Sequence, residues 1–166
     1  SGLGIGCISR LALRDAFREG ATVPGRHVHA IQSGTAHGTS LIMPAWSEAG
    51  FLGIKTINIF PGNGARGLPG LHATYVLYDA HTGVPLALMD GDELTAHRTA
   101  AASALGASFL ARGDARRLLV LGTGRIARML PAAHASVRPI EELTVWNHRP
   151  EAVSYTHLTL PTTPYV

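Results

Sequence analysis

Residues 117–127, Arg-Leu-Leu-Val-Leu-Gly-Thr-Gly-Arg-Ile-Ala, constrain the fold more tightly than any other stretch of this chain. A short apolar run ends abruptly at two glycines. An alanine-rich segment then reaches about residue 137, and a second apolar run follows at 143–146. Strand, glycine turn, helix and strand in that order make a βαβ unit, and such a unit requires a parallel sheet. Pro131 is expected to bend the helix or loosen one of its turns, because proline has no amide hydrogen to donate.

The turn has the chemistry of a dinucleotide site. Gly122 permits the sharp reversal, Gly124 lets the backbone approach a pyrophosphate, and Ala127 stands where helix packs on strand. Amides at the helix start, with the positive end of the helix dipole, then face the phosphates. The same spacing also occurs in purely structural turns, but here it follows a strand and opens a helix, as nucleotide binding needs. The tip of the second strand carries Asn147, His148 and Arg149. An NAD-preferring site places an acid there for the ribose hydroxyls, whereas Glu141 and Glu142 precede the strand. A cation at this tip suits a 2′-phosphate, so NADP(H) is the expected cofactor and NAD(H) the alternative. The competing reading of Arg149 is a solvated loop residue.

The chain before this unit has a different rhythm. Leu11, Ala12, Ala16 and Phe17 form one stripe of a short helix over 9–19. Strands are expected at 27–32, 39–45 and 51–60, and a hairpin at 72–78 and 85–89. Residues 61–70 are too rich in glycine and proline for regular structure. Asp90, with Glu93 three residues on, marks the start of a helix that reaches residue 112. The expected fold is therefore α/β: an N-terminal antiparallel sheet with helices over 1–112, joined to the first βαβ unit of a Rossmann domain over 113–152.

Composition excludes several classes. With 46% hydrophobic and 15% charged residues the chain should pack a core. Its +3 charge comes from scattered arginines, so no nucleic-acid face is expected. No apolar run is long enough to cross a membrane, and the opening residues lack a basic leader region, so a cytoplasmic protein is expected. Cys7 is the single cysteine, and the nine histidines lack metal-ligand spacing, so no metal is expected. Residues 153–166 contain four threonines but no charge, glycine or alanine, and resemble the translation of a sequencing adapter. We expect a non-native tail on a chain truncated at both ends.

Lys55 is the only lysine beside thirteen arginines. It interrupts an otherwise apolar strand, either as a solvated lysine on an edge strand or as an ammonium aimed into a pocket. Arg98 lies within the helix that begins near Asp92, beside Thr99, and Arg26 precedes a strand. These three cations could converge on a small carboxylate, for which arginine offers a two-pronged donor. Arg66 reads as a solvated loop residue.

Five blocks carry a resemblance: residues 53–63 (Gly-Ile-Lys-Thr-Ile-Asn-Ile-Phe-Pro-Gly-Asn), 67–69 (Gly-Leu-Pro), 83–91 (Gly-Val-Pro-Leu-Ala-Leu-Met-Asp-Gly), 94–103 (Leu-Thr-Ala-His-Arg-Thr-Ala-Ala-Ala-Ser) and 120–124 (Val-Leu-Gly-Thr-Gly). Over about residues 10–152 the chain resembles the ornithine cyclodeaminase/mu-crystallin family, and from Lys55 through Ala127 it is most similar to bacterial Δ1-pyrroline-2-carboxylate reductases. The resemblance implies NAD(P)H-dependent reduction of a cyclic imino acid to L-proline or L-pipecolate. It assigns Arg26, Lys55 and Arg98 to the substrate carboxylate; independently of the resemblance, burial beside two arginines could make Lys55 the acid instead. It assigns Thr99, Gly122, Thr123, Gly124, Arg125, Ile126, Asn147, His148 and Arg149 to the cofactor. It further implies a homodimer and a catalytic aspartate beyond residue 152. Gly70 departs from the Thr or Ser common in the family. A lyase that makes proline from ornithine with ammonia release, and a non-catalytic ligand binder, are the other activities the family implies.

Overall fold

A computed structural model describes residues 5–148. Arg149 and the proposed tail at 153–166 lie outside the described residues. Two compact units divide the chain: one runs from Glu19 to Thr95, and the other joins the residues up to Arg18 with those from Ala96 onward. The boundary falls inside a helix, whereas the sequence pattern changes at Gly113.

In the first unit, β-branched and aromatic residues in alternation produce five strands, which suit a pleated, half-buried surface. They are β1 (His27–Ser33), β2 (Ala36–Trp46), β3 (Phe51–Ile59), β4 (Leu71–Asp79) and β5 (Pro85–Asp90). They form one antiparallel meander in the order β1-β2-β3-β4-β5. The register sets Met43 opposite Lys55, Lys55 opposite Tyr75, and Tyr75 opposite Met89. Directly paired residues share a face, so these four side chains form one row across the sheet. The other face carries Ile31, Ile42, Trp46 and Leu88, all exposed.

Residues 61–70 are more regular than their composition predicts. Pro61–Arg66 forms a 3-10 helix that ends at Gly67 in the left-handed conformation, φ 68°. Proline at the first position presets the helical φ and has no amide to leave unpaired. Asn63 then pins the following segment by donating from Nδ2 to the Pro69 carbonyl at 2.9 Å.

Helix α1 (Ile5–Glu19) begins earlier than the stripe at 9–19 predicts. Helix α2 (Gly91–Leu110) opens as expected at Asp90, whose Oδ1 accepts from the amides of Asp92 at 2.8 Å and Glu93 at 3.0 Å. Gly91 is buried, and a Cβ there would lie 2.8 Å from the carbonyl carbon of Ala73. Only glycine lets the first turn of α2 approach β4 this closely, on the face that carries Lys55.

The second unit holds the rest of α2, β6 (Arg117–Leu121), α3 (Arg125–Ala135) and β7 (Glu142–Trp146). Strands β6 and β7 pair in parallel from Arg117–Glu142 to Leu121–Trp146, so the expected βαβ unit is present. Small residues let the helices approach: Ala100, Ala104 and Ala133 form a buried cluster, with Met129, Leu130 and Val137 packed around it. Ser103 Oγ and His134 Nε2 lie 3.1 Å apart beside it. Pro131 is fully buried inside α3, which continues to Ala135, although no amide is available there for the Ala127 carbonyl. Arg138 closes the end of α2, donating to the carbonyls of Ala107 (2.9 Å), Ser108 (3.0 Å), Ala111 (2.7 Å) and Arg112 (2.8 Å).

Candidate active site

Strand β3 is the central strand of five, so the edge-strand reading of Lys55 fails. The side chain is half-buried. Its Nζ donates to Thr95 Oγ1 at 2.5 Å, and the Thr95 hydroxyl in turn donates to the Gly91 carbonyl, also at 2.5 Å. The close approach of α2 at Gly91 brings this threonine over the sheet. Tyr75, beside Lys55 in the same row, lies over Gly53, where a Cβ would be 1.8 Å from its Oη. Burial raises the Tyr75 pKa above the ordinary phenol value, so this hydroxyl stays protonated at neutral pH.

The remaining substrate candidates are placed as follows. Arg26 is exposed and directly precedes β1; the β1/β2 register, carried one residue further, sets it opposite Met43 in the Lys55 row. Arg98 is exposed on α2, three residues after Thr95, a spacing that puts two side chains on one side of a helix. Arg66 is exposed at the end of the 3-10 helix, as expected.

The cofactor candidates centre on the β6–α3 turn. Gly122 has φ 103°, a conformation that side-chain-bearing residues rarely adopt, and its amide donates to the Trp146 carbonyl at 2.7 Å. Gly124 precedes α3 in an extended conformation, φ −69° and ψ 178°. A Cβ at either glycine would meet nothing within 4 Å. That open space above a helix N-terminus fits a pyrophosphate. Asn147 Nδ2 donates to Thr123 Oγ1 at 3.2 Å, tying the tip of β7 to the turn. Arg125 and Ile126 open α3, His148 is exposed just past β7, and Thr99 is half-buried on α2.

Two residues outside the sequence-derived set belong with this geometry, Thr95 and Tyr75. A cross-strand register could have found Tyr75; the three-residue spacing from Arg98 was the only sequence signal for Thr95.

Residues 12–162 match the pattern of the ornithine cyclodeaminase/mu-crystallin family. The chain belongs to the ornithine cyclodeaminase/mu-crystallin family. A family member named Δ1-pyrroline-2-carboxylate reductase, from Paracoccus denitrificans, is 40% identical over 86% of this chain and 46% of its own length. The solved Δ1-pyrroline-2-carboxylate reductase of Thermococcus litoralis, in complex with NADH and L-proline, is 34% identical with a TM-score of 0.73, over 89% of this chain and 46% of that one. A solved lysine cyclodeaminase is 35% identical with a TM-score of 0.70, over 89% of this chain and 43% of that one. The chain spans about half the length of the curated relatives it matches. Among the described residues, no helix is long and apolar enough to cross a membrane, and no group of His, Cys, Asp and Glu is placed to hold a metal ion.

Proposed function

We propose that the protein containing this chain reduces a cyclic imino acid, Δ1-pyrroline-2-carboxylate or Δ1-piperideine-2-carboxylate, to L-proline or L-pipecolate with NADPH. The observation that carries this reading is Lys55: an ammonium in the central strand of an apolar sheet, held by a hydrogen bond rather than left to solvent. A half-buried cation in such a place suits an anionic ligand. The reductases among its relatives act on substrates with a carboxylate beside the reacting carbon.

In this reading Arg26, Lys55 and Arg98 hold the substrate carboxylate, and this positioning supplies much of the rate. The cyclic substrate binds as its protonated imine. When bound, the reduced nicotinamide supplies the hydride that reaches C2. The C=N electron pair then becomes the amine nitrogen's lone pair, so no further proton is needed for the bond change. Thr99, the turn from Gly122 to Ile126, and Asn147 to Arg149 orient the cofactor, with Arg149 favouring a 2′-phosphate. A catalytic aspartate beyond residue 152 balances the cationic cluster. The protein acts as a cytoplasmic homodimer, and the exposed Ile31, Ile42, Trp46 and Leu88 face is the surface a second copy covers.

Steady-state kinetics on the intact protein with Δ1-pyrroline-2-carboxylate test this. Lys55→Met should lower kcat/KM by about a hundredfold, the scale of a lost charge-assisted contact at a reacting centre. Near-normal turnover without Lys55 overturns the site. The resemblance to lysine cyclodeaminase favours a second reading, cyclisation of a diamino acid. Ammonia release from ornithine or lysine, with no reduction of imino acids, would establish it instead.

A further inference from the structure

We propose that Thr95 is a positioning residue, one that aims the Lys55 ammonium at the substrate; this rests on the imino-acid reading above. Lys55 ends in a flexible four-carbon stem, and a lysine on such a stem samples many rotamers unless something holds its tip. Thr95 is built to hold it. Its single hydroxyl proton is committed to the Gly91 carbonyl, so toward Lys55 the oxygen can act only as an acceptor. The direction of the hydrogen bond is thereby settled, and one of the three ammonium protons is occupied.

The backbone makes this arrangement specific. Gly91 lets the first turn of α2 reach Ala73, and Asp90 caps that turn, so the Gly91 carbonyl and the Thr95 side chain are fixed relative to β3. Threonine is stiff at χ1, and its back-bond to the carbonyl four residues earlier selects one rotamer. Serine can reproduce the contact with less rigidity. Valine keeps the shape and removes the acceptor.

The test compares Thr95→Val and Thr95→Ser in the intact protein by two readouts. The first is the rate at which a lysine-directed acylating reagent modifies Lys55, followed by peptide mass spectrometry. Thr95→Val should raise that rate by about threefold or more, as the amine loses a hydrogen-bond partner, and Thr95→Ser should leave it near the original. The second is kinetics with Δ1-pyrroline-2-carboxylate. Thr95→Val should lower kcat/KM by about tenfold while thermal unfolding is unchanged, with Thr95→Ser retaining most activity. Unchanged labelling and kinetics in Thr95→Val overturn the proposal, as does equal damage from both variants. A labelling change in a protein that reduces no cyclic imino acid leaves Thr95 as the residue that holds Lys55 and overturns the substrate reading alone.

Discussion

Asn147 donates from its Nδ2 to Thr123 Oγ1 at 3.2 Å, so side chains join the tip of β7 to the glycine turn after β6, at the end of the turn assigned above by proposal to the cofactor's adenosine ribose. The Asn147 amide brings no negative charge to the tip. Asn147→Asp would put an acid where NAD-preferring sites have one, and would repel a 2′-phosphate. We expect NADPH affinity of the intact protein to fall by about tenfold and NADH to gain on it, given that a tenfold change needs only about 1.4 kcal/mol. Fluorescence titration with both reduced cofactors checks the ratio, and an unaltered ratio refutes the role of this tip.

Arg138 gathers four carbonyls at the end of α2, including that of Ser108 in the last turn and that of Ala111 just beyond it, where the helix runs out of amides of its own. A cation there also lies favourably in the helix dipole. Arg138→Ala should cost about 2 kcal/mol, in the range for hydrogen bonds to charged groups. Arg138→Lys should recover only part of this, since an ammonium cannot reproduce the fork. Denaturant unfolding of both variants measures the difference; equal stability of Arg138→Ala and the parent protein contradicts the clasp.

Gly53 and Tyr75 share one space. A Cβ at residue 53 would fall 1.8 Å from the tyrosine hydroxyl and 2.5 Å from its ring carbon Cζ. Gly53→Ala therefore has to displace the ring beside Lys55, a form of overpacking that costs about 1–3 kcal/mol. Both the unfolding midpoint and kcat/KM should drop. Retention of both would mean that the ring moves freely and takes no part in shaping the site.

Burial lowers the His134 pKa below its ordinary 6.5. The folded form therefore holds fewer protons than the unfolded chain. The stabilisation is complete above the unfolded value and is lost as pH falls through the folded one. Acidification from neutral pH should weaken the packing of α3 on α2, and His134→Gln should remove that component. Unfolding curves at several pH values for both proteins give the answer; identical pH dependence would assign the effect elsewhere.

Periodicity, turn chemistry and caps act within a few residues, and what depends on them was legible in the chain itself. The five strands, the Asp90 cap, the βαβ unit and its Gly122–Gly124 turn all follow from local spacing. The 3-10 helix at Pro61–Arg66 was not legible, because composition marks a glycine-rich segment as irregular without showing that Pro61 and Gly67 can bracket a helical turn.

By itself the sequence determined that a lone lysine interrupts an apolar strand and that a glycine turn opens a helix. Only the tertiary structure decided what Lys55 faces. The strand's central position, the row from Met43 to Met89 and the hydroxyl of Thr95 arise from pairing and packing between residues far apart in the chain. Side-chain alternation assigns each strand residue to one of two faces. Where the first turn of α2 meets the sheet depends on the approach that Gly91 permits at Ala73, a contact between distant residues that no local pattern records.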